Sequence, residues 1–251
     1  MKICVVVPHF DHVEQFRVLL PKLSELHIPL IVVDDASPME SAEALARSLE
    51  TIVPDAILIR HASNLGKGGA VVTGLLAAWE RGYTHAVQID ADGQHDCGEV
   101  PLLCSAAQAS PGSLVCGEPV FADISALRYY ARYITLYLIW LETLSTEIRD
   151  GLCGLRVYPL EPVVELLKRS QPPKRMAFDP EILVRAVWAG IPLKFVPIHV
   201  QYPENGRSHF RYVRDNLEIA WMHTRLLFGM LIRIPRLTDP YYRSRKGPAG
   251  S

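Results

Sequence analysis

The sequence has no long uncharged apolar run, although 49% of its 251 residues are hydrophobic. A helix that crosses a bilayer needs roughly 20 consecutive, mostly apolar residues, and no stretch reaches that length without charges. A strand-like run begins already at Lys2, so we also expect no secretory signal peptide. These absences predict a globular chain that does not span a membrane, built as one large domain or a domain with an appendage.

Cysteine is scarce, and the charges nearly cancel. The five cysteines include no C-x-x-C pair and are odd in number, so we expect reduced thiols in a cytoplasmic protein. The formal net charge of −1 argues against a general nucleic-acid-binding protein, and we expect no nucleic-acid partner. Residues 203–251 nevertheless carry nine Lys/Arg against four Asp/Glu, which leaves −6 on the rest of the chain. A basic end on a nearly neutral chain favours attraction to anionic lipid headgroups.

Short β-branched runs alternate with stretches of helical periodicity. The runs predict strands at residues 2–8, 30–33, 56–59, 85–89, 113–116, 155–158 and 193–202. The stretches between them predict helices at about 12–26, 39–50, 70–81, 125–147 and 159–168, and a further helix that opens at Phe178. Such alternation indicates βαβ units, so the sequence predicts an α/β fold with a mostly parallel, Rossmann-like central sheet flanked by helices.

The last periodic stretch, residues 212–234, has the pattern of an amphipathic helix. Arginines such as Arg214 and Arg225 surround apolar residues that include Trp221 and Phe228. Such a helix packs on its own domain or lies in the membrane interface, and the pattern leaves both alternatives open. We expect residues 1–210 to form the main domain, 211–237 a membrane-associating helix, and 238–251 a disordered tail.

Two carboxylates spaced D-x-D end the fourth predicted strand. Alternate residues of an extended chain lie on one side, roughly 7 Å apart, so Asp90 and Asp92 can approach one cation once Gly93 lets the backbone turn. Mg²⁺ or Mn²⁺ takes one or two carboxylates and completes its shell with water and phosphate oxygens, which suits a nucleotide diphosphate. Residues 8–11 and 34–35 also follow strands, and would meet these carboxylates at the same edge of the sheet. The alternative is that Asp92 and Gly93 only form a turn or cap a helix.

Other sites that use aspartates or glycine-rich loops fit less well. A calcium EF-hand needs glycine where His95 stands and glutamate where Pro101 stands. The first strand is not followed by the G-x-G-x-x-G of dinucleotide-binding proteins, and residues 66–69 (GKGG) are not the G-x-x-x-x-G-K-[ST] phosphate loop. The GKGG turn can still present backbone N–H groups and Lys67 to an anion at a helix N-terminus. A phosphatase with an aspartyl nucleophile stays open as a rival function.

Further motifs follow these in a specific order along the chain. The full series is PHFDH at 8–12, VDDAS at 33–37, GKGGA at 66–70, DADGQ at 90–94, DGLCGLRVY at 150–158, FDPE at 178–181 and GRSHF at 206–210. Taken together, the series resembles the family-2 glycosyltransferases of the GT-A fold, over roughly residues 3–210. The branch that it resembles contains the dolichyl-phosphate mannosyltransferases and the bacterial undecaprenyl-phosphate glycosyltransferases. The resemblance implies that residues 1–210 form a GT-A domain.

The resemblance also implies roles for individual residues in binding the donor, a UDP- or GDP-linked sugar. The residues assigned to the nucleotide and its sugar are Pro8, Phe10, Val33, Asp35 and Ala91. The residues assigned to the Mg²⁺ or Mn²⁺ ion and the diphosphate are Asp90, Asp92 and Gln94. The residues expected to assist at the donor phosphates are Lys67, Arg207 and His209. Asp92 is thereby expected to be catalytic, because it holds the metal ion that neutralises charge on the departing diphosphate.

The acceptor side departs from the family pattern. The family has G-S-R after the fifth strand, whereas this chain has Gly117-Glu118-Pro119, so the arginine expected to meet a lipid phosphate is missing. An arginine fork is hard to replace in phosphate recognition; Arg128 and Arg132, one helical turn apart, are the candidate substitutes. His12 and His209 also stand where the family has glutamate and lysine.

Two acceptor classes and one inactive alternative follow from this resemblance. A lipid phosphate such as polyprenyl phosphate is already a nucleophile, whereas a lipid-linked hydroxyl needs a general base, for which Asp179 is the first candidate and Glu181 the second. The alternative role for Asp179 is that of a helix cap. The expected activity is inverting sugar transfer to a membrane lipid by a peripheral protein on the inner face of the cytoplasmic membrane. The rival is a catalytically silent binding or scaffold protein of the same fold.

Overall fold

The structure, a computed structural model, describes residues 1–121, 126–170, 172, 175–200 and 212–238. Strands and helices alternate along these residues, except that two helices, at Leu160–Arg169 and Phe178–Ala189, follow one another. The strands are β1 Ile3–His9, β2 Leu30–Asp34, β3 Ile57–Arg60, β4 His85–Gln88, β5 Leu114–Phe121, β6 Arg156–Pro159 and β7 Leu193–Val200. The helices are α1 Val13–Glu25, α2 Met39–Ile52, α3 Lys67–Glu80, α4 Val100–Ala109, α5 Ala126–Thr143, α6 Leu160–Arg169, α7 Phe178–Ala189 and α8 Tyr212–Leu237.

The seven strands form one sheet in the order β3-β2-β1-β4-β6-β5-β7. All neighbouring strands are parallel except β6, which is antiparallel to both β4 and β5. The helices that connect β1 to β2, β2 to β3 and β3 to β4 return the chain to the same edge of the sheet each time. The prediction of a mostly parallel sheet flanked by helices is therefore confirmed.

The sheet has a buried hydrophobic cluster on each face. Along β1, Cys4 and Val6 belong to one cluster, and Val5 and Val7 belong to the other, as the two-residue period of a strand requires. Helix α3 lies very close to the first face, because a Cβ added to Gly74 would stand 2.2 Å from a methyl carbon of Val6. This close packing holds the N-terminal end of α3 beside the ends of the central strands.

Helix α8 packs into the domain. Its Met222, Leu226 and Met230 belong to the same buried cluster as residues of α5 and α7, while Trp221 and Phe228 are exposed on its other side. The structure therefore shows that this helix packs on its own domain and leaves an apolar outer stripe, and its association with a membrane stays a prediction. Among the described residues, none of the helices is both long enough and apolar enough to span a bilayer. The predicted tail lies outside the described residues, apart from Thr238.

Two elements differ from the prediction. Helix α4 was not predicted, because its sequence VPLLCSAAQA is apolar on most sides and lacks the amphipathic pattern. Strand β5 continues to Phe121 instead of ending at Cys116, since residues 114–121 all pair with β7. Beyond Cys116 this strand has no further pairing with β6, so Pro119 lies where one side of the strand makes no ladder bonds, as proline requires.

Candidate active site

A cavity of about 370 Å³ opens at the carboxyl ends of β1, β2 and β4. Seven of the residues predicted from the sequence to bind substrate or metal ion line it, and they come from four separate segments. The predicted residues that line the cavity are Pro8, Phe10, Asp35, Lys67, Asp90, Ala91 and Asp92. Parallel strands whose ends meet at one edge of a sheet bring such residues together although they are distant in sequence.

Lys67 is at the centre of the charged groups. It is the first residue of α3, and its Nζ lies 2.7 Å from Asp90 Oδ2 and 2.7 Å from Asp179 Oδ2. Burial by itself would lower the pKa of Lys67, but the two carboxylates outweigh burial and raise that pKa. The ammonium is therefore charged and serves as the counter-ion of both aspartates.

Asp90 and Asp92 have opposite pKa shifts. Burial opposes ionisation of Asp90, but the Lys67 ammonium holds the pKa of this carboxyl below its usual value. Burial and the neighbouring Asp90 charge raise the pKa of Asp92 to about 6, although Asp92 Oδ1 accepts a hydrogen bond from the backbone N–H of Gln94 at 3.0 Å. The charge of Asp90 thus opposes ionisation of Asp92. A cation bound between the two carboxylates would offset this repulsion and stabilise both in the ionised form.

The residues present fit a hard divalent cation. Across the described ranges, no group of three or more His, Cys, Asp or Glu side chains is arranged to hold a metal ion, so within these ranges the candidate ligands are the carboxylates of Asp90 and Asp92. Mg²⁺ and Mn²⁺ sites built on one or two carboxylates are completed by water and substrate phosphates. Gly154 leaves room for the carboxylate of Asp90, because a Cβ at this position would stand 2.0 Å from Asp90 Oδ2. Gln94 is half-buried and does not line the cavity, so its role as a metal ligand stays a prediction.

Asp179 is buried among polar partners. Its side chain is only 6% exposed, and besides Lys67 it contacts Gln88 Nε2 at 3.5 Å and an Arg156 nitrogen at 3.9 Å. Gln88 is held in turn by the Tyr158 hydroxyl, which donates to its Oε1 at 2.8 Å. Asp179 does not line the cavity. Because its oxygens contact Lys67, Gln88 and Arg156 and it lies outside the cavity lining, the geometry favours a positioning role over proton removal.

Glu181, the second candidate base, is also held by arginines. It is fully buried in α7, and its two oxygens lie 2.5 Å from nitrogens of Arg185 and Arg225. Arg225 belongs to α8, so Glu181 connects α7 and α8 and does not line the cavity. This ion pair is one of the contacts that join α8 to α7.

Asp35 lines the cavity and at the same time organises the loop before α3. It accepts hydrogen bonds from the backbone N–H groups of Leu65 at 2.8 Å and Gly66 at 2.6 Å, and contacts His61 Nδ1 at 2.7 Å. The sequence predicted that backbone N–H groups of this glycine-rich turn meet an anion. For Leu65 and Gly66 that anion is the carboxylate of Asp35. Lys67, the next residue of this turn, instead places its ammonium 2.7 Å from the Asp90 carboxylate of the D-x-D motif.

Some predicted residues are not brought to the cavity. Val33 is fully buried in the core under α3, because it faces inward from the middle of the sheet, so its side chain does not line the site. Arg132 is bound to Asp150 through Nε and through Nη2, the latter at 2.9 Å, and is not among the lining residues either. The side chain of Arg128 and all of Arg207 and His209 lie outside the described residues.

Residues that sequence reasoning did not assign complete the lining. They include Asn64, Arg175, Met176 and Asp215. Arg175 precedes α7 and Asp215 lies in the first turn of α8, so they belong to the later part of the chain. No motif or periodicity marks them, because only tertiary packing brings these segments to the strand ends.

Residues 4–163 match the family described as Glycosyl transferase family 2. The chain belongs to this family. The match covers β1 to the start of α6 and includes the D-x-D carboxylates and Lys67.

Named relatives of this family-2 glycosyltransferase act on polyprenyl-type phosphates. A dolichyl-phosphate beta-glucosyltransferase from Dictyostelium discoideum is 28% identical over 215 residues, covering 82% of this chain and 64% of that protein. A polyprenol monophosphomannose synthase from Mycolicibacterium smegmatis is 26% identical over 219 residues, covering 81% of this chain and 79% of that protein. An undecaprenyl-phosphate mannosyltransferase from Micrococcus luteus is 31% identical over 114 residues, covering 44% of this chain and 46% of that protein. The chain thus spans less than two thirds of the length of two of these relatives.

The fold of the family-2 glycosyltransferase is also found in solved structures. Glucosyl-3-phosphoglycerate synthase from Mycobacterium tuberculosis, in complex with Mn²⁺ and UDP-glucose, has a TM-score of 0.66 to this chain. The two are 18% identical, and the match covers 92% of this chain and 78% of that one. At this identity the likeness concerns the fold, and it confirms the predicted GT-A architecture.

Proposed function

We propose that this glycosyltransferase moves a sugar from a nucleotide-diphosphate sugar to polyprenyl phosphate at a membrane surface, with inversion at the anomeric carbon. The observation that carries the proposal is the single cavity that joins the strand-end residues Pro8 and Phe10 to Lys67 and the D-x-D carboxylates. The named relatives, a dolichyl-phosphate glucosyltransferase, a polyprenol monophosphomannose synthase and an undecaprenyl-phosphate mannosyltransferase, support this acceptor class.

The surroundings of Asp179 favour a phosphate acceptor over a hydroxyl. A hydroxyl must lose a proton to a base during transfer, whereas an ionised phosphate oxygen attacks directly. Asp179 is buried and paired with Lys67, and Glu181 is fully buried between two arginines. Neither carboxylate is placed to take a proton from a substrate in the cavity, so a nucleophile that needs no base suits this site.

The chain's own residues would act by holding charge in place. The acceptor phosphate oxygen forms a bond to the anomeric carbon from one side as the bond to the diphosphate breaks on the other, and the nucleoside diphosphate leaves. A divalent cation held by Asp90 and Asp92 would supply Lewis-acid neutralisation of the departing diphosphate. Lys67, already positioned 2.7 Å from Asp90, holds a positive charge at the same place. Such pre-oriented charge needs no rearrangement when the bond breaks.

An apolar outer face suits the membrane association that the proposal needs. Helices α5 and α8 pack side by side and expose large apolar side chains. The members of this α5/α8 face are Tyr130, Ile134, Tyr137, Leu217, Trp221, Phe228 and Ile232. On α8 the members recur at intervals of four and seven residues, which places them along one side of the helix. The exposed Arg233 and Arg236 lie on the same helix and suit anionic headgroups.

A direct assay separates the acceptor classes. Radiolabelled UDP- and GDP-sugars with Mn²⁺ are offered to vesicles that contain either polyprenyl phosphate or the corresponding polyprenol. We expect labelled lipid with the phosphate and none with the alcohol. Transfer to the alcohol alone would contradict the proposed acceptor, and hydrolysis of simple phosphate esters without any sugar nucleotide would favour a phosphatase.

Nucleotide binding distinguishes an active site from a silent one. A thermal-shift series with UDP and GDP, with and without Mn²⁺, should show a metal-dependent rise of the melting temperature, since a ligand at 100 times its Kd stabilises by about 2.7 kcal/mol. Asp92→Asn should abolish this rise, whereas the exposed Asp55→Asn should retain it. Metal-dependent binding without transfer to any lipid would instead support the scaffold alternative.

Membrane association has its own test. We expect the wild-type chain to sediment with phosphatidylglycerol-containing vesicles and Trp221→Gln to bind several-fold less, because Trp221 is 67% exposed on the α5/α8 face. Trp79→Gln is the control, because Trp79 is also exposed but lies on α3. Equal binding by both variants would show that the α5/α8 face does not contact the membrane.

A further inference from the structure

We propose that Arg175 binds the phosphate of the acceptor, in place of the arginine that is missing after β5. This inference rests on the proposed transfer to polyprenyl phosphate. It identifies the residue that distinguishes the acceptor subsite of this chain, and it concerns a residue that no motif of the sequence marks.

Among the described side chains, the positions where sequence reasoning sought an acceptor arginine do not provide one. Glu118 and Pro119 lie inside β5, and Glu118 Oε2 is 3.4 Å from Arg149 Nη1. Arg132, the described member of the pair proposed as substitutes, is held by both oxygens of Asp150. Asp150 also accepts from the backbone N–H of Cys153 at 2.7 Å, so this carboxylate and its arginine form part of the loop structure.

Arg175, in contrast, lines the cavity. Its side chain is 29% exposed, and in the described part of the chain its one ion pair is with Glu218 on α8, at 3.8 Å. That separation is too long for a good hydrogen bond, and a guanidinium has five N–H donors. The group therefore keeps donors for a ligand in the cavity, and its planar fork matches the geometry of a phosphate.

The position of Arg175 fits an acceptor phosphate near the reacting centre. Its carbonyl oxygen accepts from the N–H of Phe178 at 3.1 Å, in the turn that opens α7. Asp179, in the first turn of that helix, is the residue that contacts Lys67. Arg175 is thus attached to the same short segment that holds Lys67, and the described residues supply these two cations to one cavity. Lys67 is committed to Asp90 and the donor diphosphate, which leaves Arg175 for a second anion.

The ion-pair partner of Arg175 lies on a helix that carries an exposed apolar side. This partner, Glu218, is on α8 between Leu217, which is 66% exposed, and Trp221, which is 67% exposed. These two side chains belong to the α5/α8 face. A polyprenyl phosphate with its headgroup at Arg175 can therefore lay its chain over this face, while the nucleotide occupies the part of the cavity formed by the strand ends.

The test compares Arg175→Gln, Arg175→Lys and Arg214→Gln. Arg214 is the matched control, since its Nε also pairs with Glu218, at 3.1 Å, but it does not line the cavity. We expect Arg175→Gln to raise the KM for polyprenyl phosphate roughly 10- to 100-fold, the loss typical of charged hydrogen bonds. Its KM for the nucleotide sugar should stay within about twofold of wild type. Arg175→Lys should be intermediate, because a point charge replaces a fork, and Arg214→Gln should leave both KM values unchanged.

Each outcome is decisive. With a short-chain, water-soluble isoprenyl phosphate the effect of Arg175→Gln should persist, whereas Trp221→Gln should raise KM only for the long-chain lipid. Equal acceptor KM values for Arg175→Gln and Arg214→Gln in an active enzyme would overturn the assignment and leave the proposed function standing. A rise confined to the KM of the nucleotide sugar would place Arg175 on the donor side and overturn it as well. If the wild-type chain transfers nothing to polyprenyl phosphate, the proposed function fails and the assignment fails with it. Should Arg175→Gln not fold, Arg175→Lys decides by the same two KM values.

Discussion

Replacing Lys67 by methionine removes the cation that joins two buried carboxylates. The ammonium lies 2.7 Å from both Asp90 and Asp179, whose side chains are 16% and 6% exposed. Methionine keeps most of the volume of the lysine stem, so the main loss is charge. Removing one partner of a buried ion pair costs about 3 to 5 kcal/mol, because the other partner stays buried and unpaired. Because Asp90 is partly exposed, we expect the lower end of this range: Lys67→Met should lower the free energy of unfolding by about 3 kcal/mol at pH 7.

The pH dependence of this loss has a definite sign. Lys67 holds the folded-state pKa of Asp90 below its ordinary value of 3.8. A group with a depressed folded pKa contributes stability that is present above its unfolded pKa and is lost as the pH falls through the folded value. The difference between wild type and Lys67→Met should therefore be full at pH 7 and shrink below about pH 4, where protonated carboxyls need no counter-ion.

Urea unfolding followed by circular dichroism measures the effect. Lys168→Met, at an exposed position of α6, is the control and should change stability by less than about 0.5 kcal/mol. The double variant Lys67→Met/Asp179→Asn should recover part of the loss, because it removes one of the carboxylates left unpaired. A Lys67→Met protein as stable as the control, or a double variant less stable than the single one, would refute the reasoning.

Three further predictions concern the same edge of the sheet. Gly154→Ala should weaken Mn²⁺ binding at least about tenfold, measured by calorimetry, because the new Cβ would stand 2.0 Å from Asp90 Oδ2. Gly112→Ala is the control, because Gly112 has open space around it. Equal Mn²⁺ affinities of the two variants would count against the proposed metal site. The Mn²⁺ affinity should fall up to about tenfold for each pH unit below pH 6 and stay constant above pH 6. The reason is that binding requires ionised Asp92, whose pKa is raised to about 6. An affinity that does not change between pH 5 and 7 would contradict this. Ala36→Gly should raise the free energy of unfolding by up to about 1 kcal/mol in urea, because Ala36 has φ +61°, and a loss of stability would argue that the alanine is unstrained.

The sequence alone determined the features that depend on neighbours along the chain. Alternation of apolar residues set the strands and their two buried faces, and the strand-end motifs located Asp35, Lys67, Asp90 and Asp92, because a parallel sheet brings such ends to one edge. The position of Lys67 at the start of a helix also follows from the local GKGG turn. These parts of the fold and the site were predictable since their causes are local periodicity and turn chemistry.

Only the tertiary structure decided which partner each polar group takes. Asp35 binds the backbone of the loop before α3, Arg132 is taken by Asp150, and Asp179 turns toward Lys67 instead of toward the cavity. A charged side chain in a buried place pairs with the group that packing brings within reach, and that group stands many residues away in sequence. For the same reason no pattern along the chain records that Arg175, just before α7, lines the cavity together with Asp215 of α8.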